Sequence, residues 1–233
     1  ALVVILFLLN GGREIERNID PQDPSEFIAN CVKENVKEII NIILPKGGFI
    51  EPQHFKMYNN INVSYLCYTA GNYYPCINEH PLLIYEINNE IERILIPRTE
   101  QCFQNYKSEM QKRNVDVELG NMILDVALAR GRIYVDIERD VVISDVNDVR
   151  TLNDFDVELL SQAYDLARVA MEIASQEAEY CYFEHVGYMI LYPRFKISVF
   201  PFSDGTKVYT LEDKKSKEAM HIAIRSCPIP PGL

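Results

Sequence analysis

The sequence predicts an α+β fold, and three observations carry that reading. Helical and extended periodicities occupy separate stretches of the chain instead of alternating strictly. Turn residues divide the extended stretches into short antiparallel units. Six cysteines, Cys31, Cys67, Cys76, Cys102, Cys181 and Cys227, are widely spread with no C-x-x-C spacing, which suits a disulfide framework better than zinc or thioredoxin chemistry. Full pairing into three disulfides implies an oxidising, extracytoplasmic compartment. Reduced cysteines acting as small buried hydrophobes are the alternative.

A chain of 233 residues, 48% hydrophobic and 24% charged, can bury a core without help from a metal. Its net charge of −11 repels nucleic acid and anionic membrane surfaces, so neither is expected as a partner.

The first residues are wholly apolar: Leu2, Val3, Val4, Ile5, Leu6, Phe7, Leu8 and Leu9. With no initiator Met, Ala1 reads as a processing boundary rather than the start of translation. Nine residues of helix reach only about 13 Å, against a hydrocarbon core of about 30 Å. This segment cannot span a bilayer alone, and no basic region or small-residue cleavage site marks it as a secretory signal. Four readings stand: the outer end of a longer transmembrane helix, an apolar helix packed with copies of itself, a strand donated to a neighbour, or a core strand of its own domain. Asn10-Gly11-Gly12 and the charged Arg13 to Arg17 separate it from the rest of the chain, and Pro21 to Pro24 form a stiff break. The chain divides accordingly into a tether (1–23), an α+β domain (24–227) with a candidate sub-boundary near 114, and a Pro-rich tail (228–233).

Ser25 is expected to cap a helix to about Leu44, with apolar positions 28, 32, 36, 39, 40 and 43 on one face and Gly47-Gly48 as its stop. Residues 49–81 are irregular and rich in Asn and Tyr. Within them Cys67 and Cys76 bracket Ala70-Gly71-Asn72, a strand–turn–strand unit closed by a local disulfide. A second helical stretch covers 82–114, kinked or split at Pro97. From 115 to 146 the period shortens to a meander with turns at Gly120-Asn121, Arg130-Gly131 and Arg139-Asp140. Asp154 is expected to open a long helix to Ala178, and strands follow near 186–191, 194–200, 207–211 and 219–225.

Chemistry-bearing motifs are sparse. No phosphate loop, nucleophile elbow or zinc-protease signature occurs. His54, His80, His185 and His221 share no spacing. Asp145, Asn147, Asp148, Asn153, Asp154 and Asp156 are expected to crowd one loop. Calcium favours such oxygens, but the EF-hand order is missing and carboxylates before a helix need no metal, so stability is expected to be indifferent to chelation. Tyr58, Tyr65, Tyr68, Tyr73 and Tyr74 gather around the small disulfide loop, either as a protein or glycan contact surface or as packing. Asn62-Val63-Ser64 is an N-glycosylation sequon, read in a polar loop. No enzyme, cofactor or metal is expected.

The order of features resembles a known group. An apolar N-terminal segment and polar linker precede a helix with an early cysteine (Phe27-Ile28-Ala29-Asn30-Cys31-Val32), a Gly-Gly stop (Lys46-Gly47-Gly48-Phe49-Ile50) and a later helix with Cys102. This is similar to single-pass surface proteins of small-genome archaea whose N-terminal segments look like type IV pilin signals, over most of residues 1–200. The resemblance supports pairing Cys31 with Cys102, on helices expected to share a core, which leaves Cys181 with Cys227. It implies a cell-surface location and attachment through residues 2–9. The expected function is that of a structural protein, a subunit of an extracellular filament or surface assembly whose partners are its own copies. The alternative is an ectodomain anchored in membrane lipid that binds a protein or glycan without polymerising.

Overall fold

Helix α1 (Pro24–Ile43) opens at Asp23 rather than at Ser25: the Asp23 carboxylate accepts the Ser25 N–H at 2.9 Å, and Pro24 occupies the first helical turn, where its missing N–H costs nothing. The structure, a computed structural model, describes residues 23–145 and 148–229. The apolar segment 2–9, Asn147 and the last prolines of the tail therefore lie outside the described residues. On α1, Ile28, Val32, Val36, Ile39, Ile40 and Ile43 form the buried stripe. A short turn over Leu44–Lys46 leads into Gly47 and Gly48, both with positive φ. A Cβ on Gly48 would stand 2.7 Å from Ile87 Cγ1, so this glycine both ends the helix and admits its neighbour.

The stretch expected to be irregular begins with a hairpin. Strands β1 (Phe55–Tyr58) and β2 (Ile61–Tyr68) are joined by Asn59-Asn60, both left-handed (φ 47° and 62°), a conformation that Asn tolerates in tight hairpin turns. Strand β3 (Ile77–Asn78) pairs back onto β2, and Cys67 is bonded to Cys76 beside it. Helix α2 (Leu83–Gln111) then runs unbroken through Pro97. Its buried stripe continues on both sides of the proline, from Ile91 and Leu95 to Thr99 and Cys102. The Cys31–Cys102 bridge ties it to α1.

Strands β4 (Asp116–Ala129), β5 (Arg132–Asp145) and β6 (Asp148–Leu160) make an antiparallel sheet. Two of the three expected turns are not turns. The registers shift at Gly120-Asn121 and at Arg139-Asp140, so each is a bulge inside one long strand. The helix expected from Asp154 is also overturned. Phe155 and Val157 are buried while Asp154, Asp156 and Glu158 are exposed, so the period of 2 carries on to Leu160.

Helix α3 (Ala163–Tyr180) starts later, and distant groups cap it. Ser161 Oγ accepts the Ala163 N–H at 3.2 Å, and the Glu218 carboxylate takes the Ser161 hydroxyl and the Gln162 N–H. The strand expected at 186–191 is helix α4 (His185–Leu191), because the Glu184 carboxylate accepts the N–H groups of Val186 and Gly187. Strands β7 (Phe195–Pro201), β8 (Lys207–Asp213) and β9 (Ala219–Arg225) follow.

A second sheet takes the order β1-β2-β9-β8-β7, antiparallel except for the parallel pair β2–β9. Helices α1 and α2 pack together, α2 lies on β4, and α3 lies on β2, β8 and β9. One hydrophobic core runs continuously from Ile28 to Ile224, across residue 114. Among the described residues no helix is long and apolar enough to cross a membrane.

Candidate contact surfaces around the C-terminal disulfide

The five tyrosines adjacent in sequence divide between two environments. Tyr58, Tyr65 and Tyr68 belong to β1 and β2 and point to the face of the second sheet away from the main core, where Val63, Tyr65, Val208 and Ala223 form a small cluster of their own. The Tyr65 hydroxyl shares a 2.9 Å hydrogen bond with Thr206, and burial raises its pKa. Lys56 pairs with Asp204 at 2.5 Å and stands over the Phe202 ring, so the β7–β8 loop is held down across this face. These tyrosines are packing.

Tyr73 and Tyr74 are different. They are 57% and 68% exposed, and two residues from elsewhere in the chain join them, Tyr180 at 65% and Tyr182 at 57%. The Cys181–Cys227 bridge assembles the group. The Tyr73 N–H donates to the Pro228 carbonyl at 3.1 Å and the Cys227 N–H to the Tyr74 carbonyl at 2.8 Å. Tyr73, Cys181 and Cys227 all have positive φ, so three non-glycine residues hold strained backbone at this one junction. Beneath it, Glu177 is fully buried and accepts from the Lys207 ammonium and the Tyr209 hydroxyl, while its backbone carbonyl accepts from Ser226 Oγ at 2.7 Å. Burial, then the Glu177 charge, drives the Tyr209 pKa far up, so its hydroxyl stays a donor. Val186, Ile190 and Leu191 on α4 are exposed as well.

Sequence reading missed Tyr180 and Tyr182, since only the long-range bridge brings them to the loop. A Cys flanked by Tyr on both sides, Tyr180-Cys181-Tyr182, is the signal that points to them.

The remaining candidates stand apart from one another. His54 contacts Glu79 at 3.0 Å, His80 contacts Glu86, and His221 Nδ1 lies 2.9 Å from Thr210 Oγ1, its pKa lowered by burial. His185 begins α4. Asn62 lies in β2 opposite Met57, not in a loop, and Ser64 of its sequon is buried. The Asp and Asn residues expected in one loop, Asn147 aside, lie on strands: Asp145 ends β5, and Asp148, Asn153, Asp154 and Asp156 belong to β6. Of these, Asp156 joins a ladder of carboxylates on the exposed face of the sheet, with Asp125 opposite Asp136 and Asp136 opposite Asp156. No group of three metal-capable side chains occurs among the described residues. Compared with models of known families, curated proteins and solved structures, the chain matches none.

Proposed function

We propose that this chain is a structural cell-surface protein: a subunit of an extracellular filament or surface assembly that joins its own copies through the apolar residues 2–9 and displays the 24–227 domain. The observation that carries the reading is that all six cysteines are paired, leaving none free. Such a framework fits an oxidising, extracellular environment. A bridge that closes tens of residues, as Cys31–Cys102 and Cys181–Cys227 do, stabilises by about 4 kcal/mol in the chain-entropy model. A domain stapled in this way is suited to exposure outside the cell. Residues 2–9 then supply attachment, each buried side chain contributing about 1.5–3 kcal/mol. A contact that repeats head to tail without closing gives a filament. The archaeal, pilin-like origin of that segment is part of the same proposal.

The exposed group Tyr73, Tyr74, Tyr180 and Tyr182 favours a second reading, an ectodomain anchored in lipid that binds a protein or glycan without polymerising. The test separates the two. In the full chain, Ile5→Asp with Phe7→Asp should abolish filaments in negative-stain images and leave the domain folded by circular dichroism. Filaments that persist in the double variant would refute assembly through residues 2–9. A monodisperse wild-type protein that binds vesicles would favour the anchored reading.

A further inference from the structure

The outer side of α3, helix α4, Arg194 and the β4–β5 turn enclose a groove of about 540 Å³, a size typical of small-ligand sites. Val169 and Phe195 lie buried at its base. Arg194 is engaged: its Nε bonds Asp213 at 3.0 Å, its terminal nitrogen lies 3.4 Å from Asp165, and the guanidinium lies over the Phe195 ring. Arg130 and Arg168 also line the groove, and neither has an ion-pair partner among the described residues. Glu172 carries the other lining carboxylate and accepts the Gln176 amide at 2.6 Å. Arg194 is held between Asp165 and Asp213, so Glu172 is the one lining carboxylate not bound to it, and Arg130 and Arg168 stand beside it in a molecule of net charge −11. Both side chains are exposed, so each guanidinium is hydrated and free to meet an anion that enters the groove. Tyr188 and Tyr192 form a wall beside them, ring centroids 4.6 Å apart.

We propose that this groove binds a monoanionic sugar, a uronic acid residue of a carboxylated saccharide. The forked donors of Arg130 and Arg168 match the two carboxylate oxygens. Glu172 and Gln176 offer an acceptor and a donor for ring hydroxyls, and the tyrosine wall takes the apolar face of the ring. With Asp165, Glu172 and Asp213 beside the three arginines, a singly charged carboxylate meets less repulsion than a phosphate dianion would. None of the lining residues belongs to 2–9, and the proposal does not rest on assembly through that segment.

The test is calorimetric titration of the full chain with trigalacturonate. Binding is expected, with no heat from neutral maltotriose. Affinity should fall at least about tenfold in Arg130→Gln/Arg168→Gln, both at exposed positions, and in about 1 M salt, where the screening length drops to about 3 Å. Circular dichroism melting of the double variant should match wild type. Absence of binding, equal affinity in the folded double variant, or equal affinity for triglutamate or inorganic phosphate would each overturn the assignment.

Discussion

The two sheets of this protein are built on opposite plans. The meander β4–β6 pairs neighbours in sequence, contains no cysteine, and shows solvent a ladder of like charges at Asp125, Asp136 and Asp156. The other sheet gathers strands from both ends of the chain. Its parallel β2–β9 pair joins residues 157 or 158 positions apart, such as Tyr65 with Ala223, and two of the three disulfides touch it or the segment beside it. Its outer face is covered by the 202–206 loop and aromatic rings. Locally closed structure tolerates surface repulsion, because little loop entropy opposes it. Structure closed over long distances needs covalent and buried-charge fastening. The contrast also separates the roles of the acidic residues. The long β6 edge is guarded by charges that discourage pairing with another chain, while the tyrosine surface sits where the fastening is densest.

Changes to the fastening should show the largest effects. Cys181→Ser with Cys227→Ser should cost about 4 kcal/mol in urea unfolding, with amide exchange rising first in β8, β9 and the 69–76 loop. Equal loss of protection in β4–β6 would break the contrast. Next is Lys207→Met, which strips the buried Glu177 of its cation and should cost about 3 kcal/mol. Converting Glu177 to Gln in the same chain should recover part of that loss, and no recovery would mean that the ammonium acts only by packing. The smallest effect is expected on the meander. Asp136→Thr removes the middle rung of the ladder and should stabilise by about 0.2–1 kcal/mol, a gain that shrinks in high salt as screening replaces it. A destabilised Asp136→Thr protein would show that the ladder contributes something that repulsion alone does not describe.

Where a stretch of chain carries its own period, the elements could be read directly. The α1 stripe at 28, 32, 36, 39, 40 and 43 is buried as its spacing predicts, and Ala219–Arg225 forms the strand its alternation indicates. Failures came where a local signal was ambiguous and a distant group decided it. Gly120-Asn121 and Arg139-Asp140 have turn chemistry, but the partner strand on the far side makes them bulges. Asp154 looks like a helix opener, yet the carboxylate that caps α3 is Glu218, 56 residues beyond Gln162. The apolar run of α4 suits strand or helix equally, and the Glu184 cap settles it. The same division applies to the sites. The sequence alone determined that the cysteines could form a framework, that residues 49–81 concentrate tyrosine, and that the chain is strongly acidic. Only the tertiary structure could bury Tyr65, expose Tyr73 and Tyr74, bring Tyr180 and Tyr182 beside them, and set Arg130 and Arg168 on one groove, because side chains over 35 residues apart meet only when strands and helices have closed the chain between them.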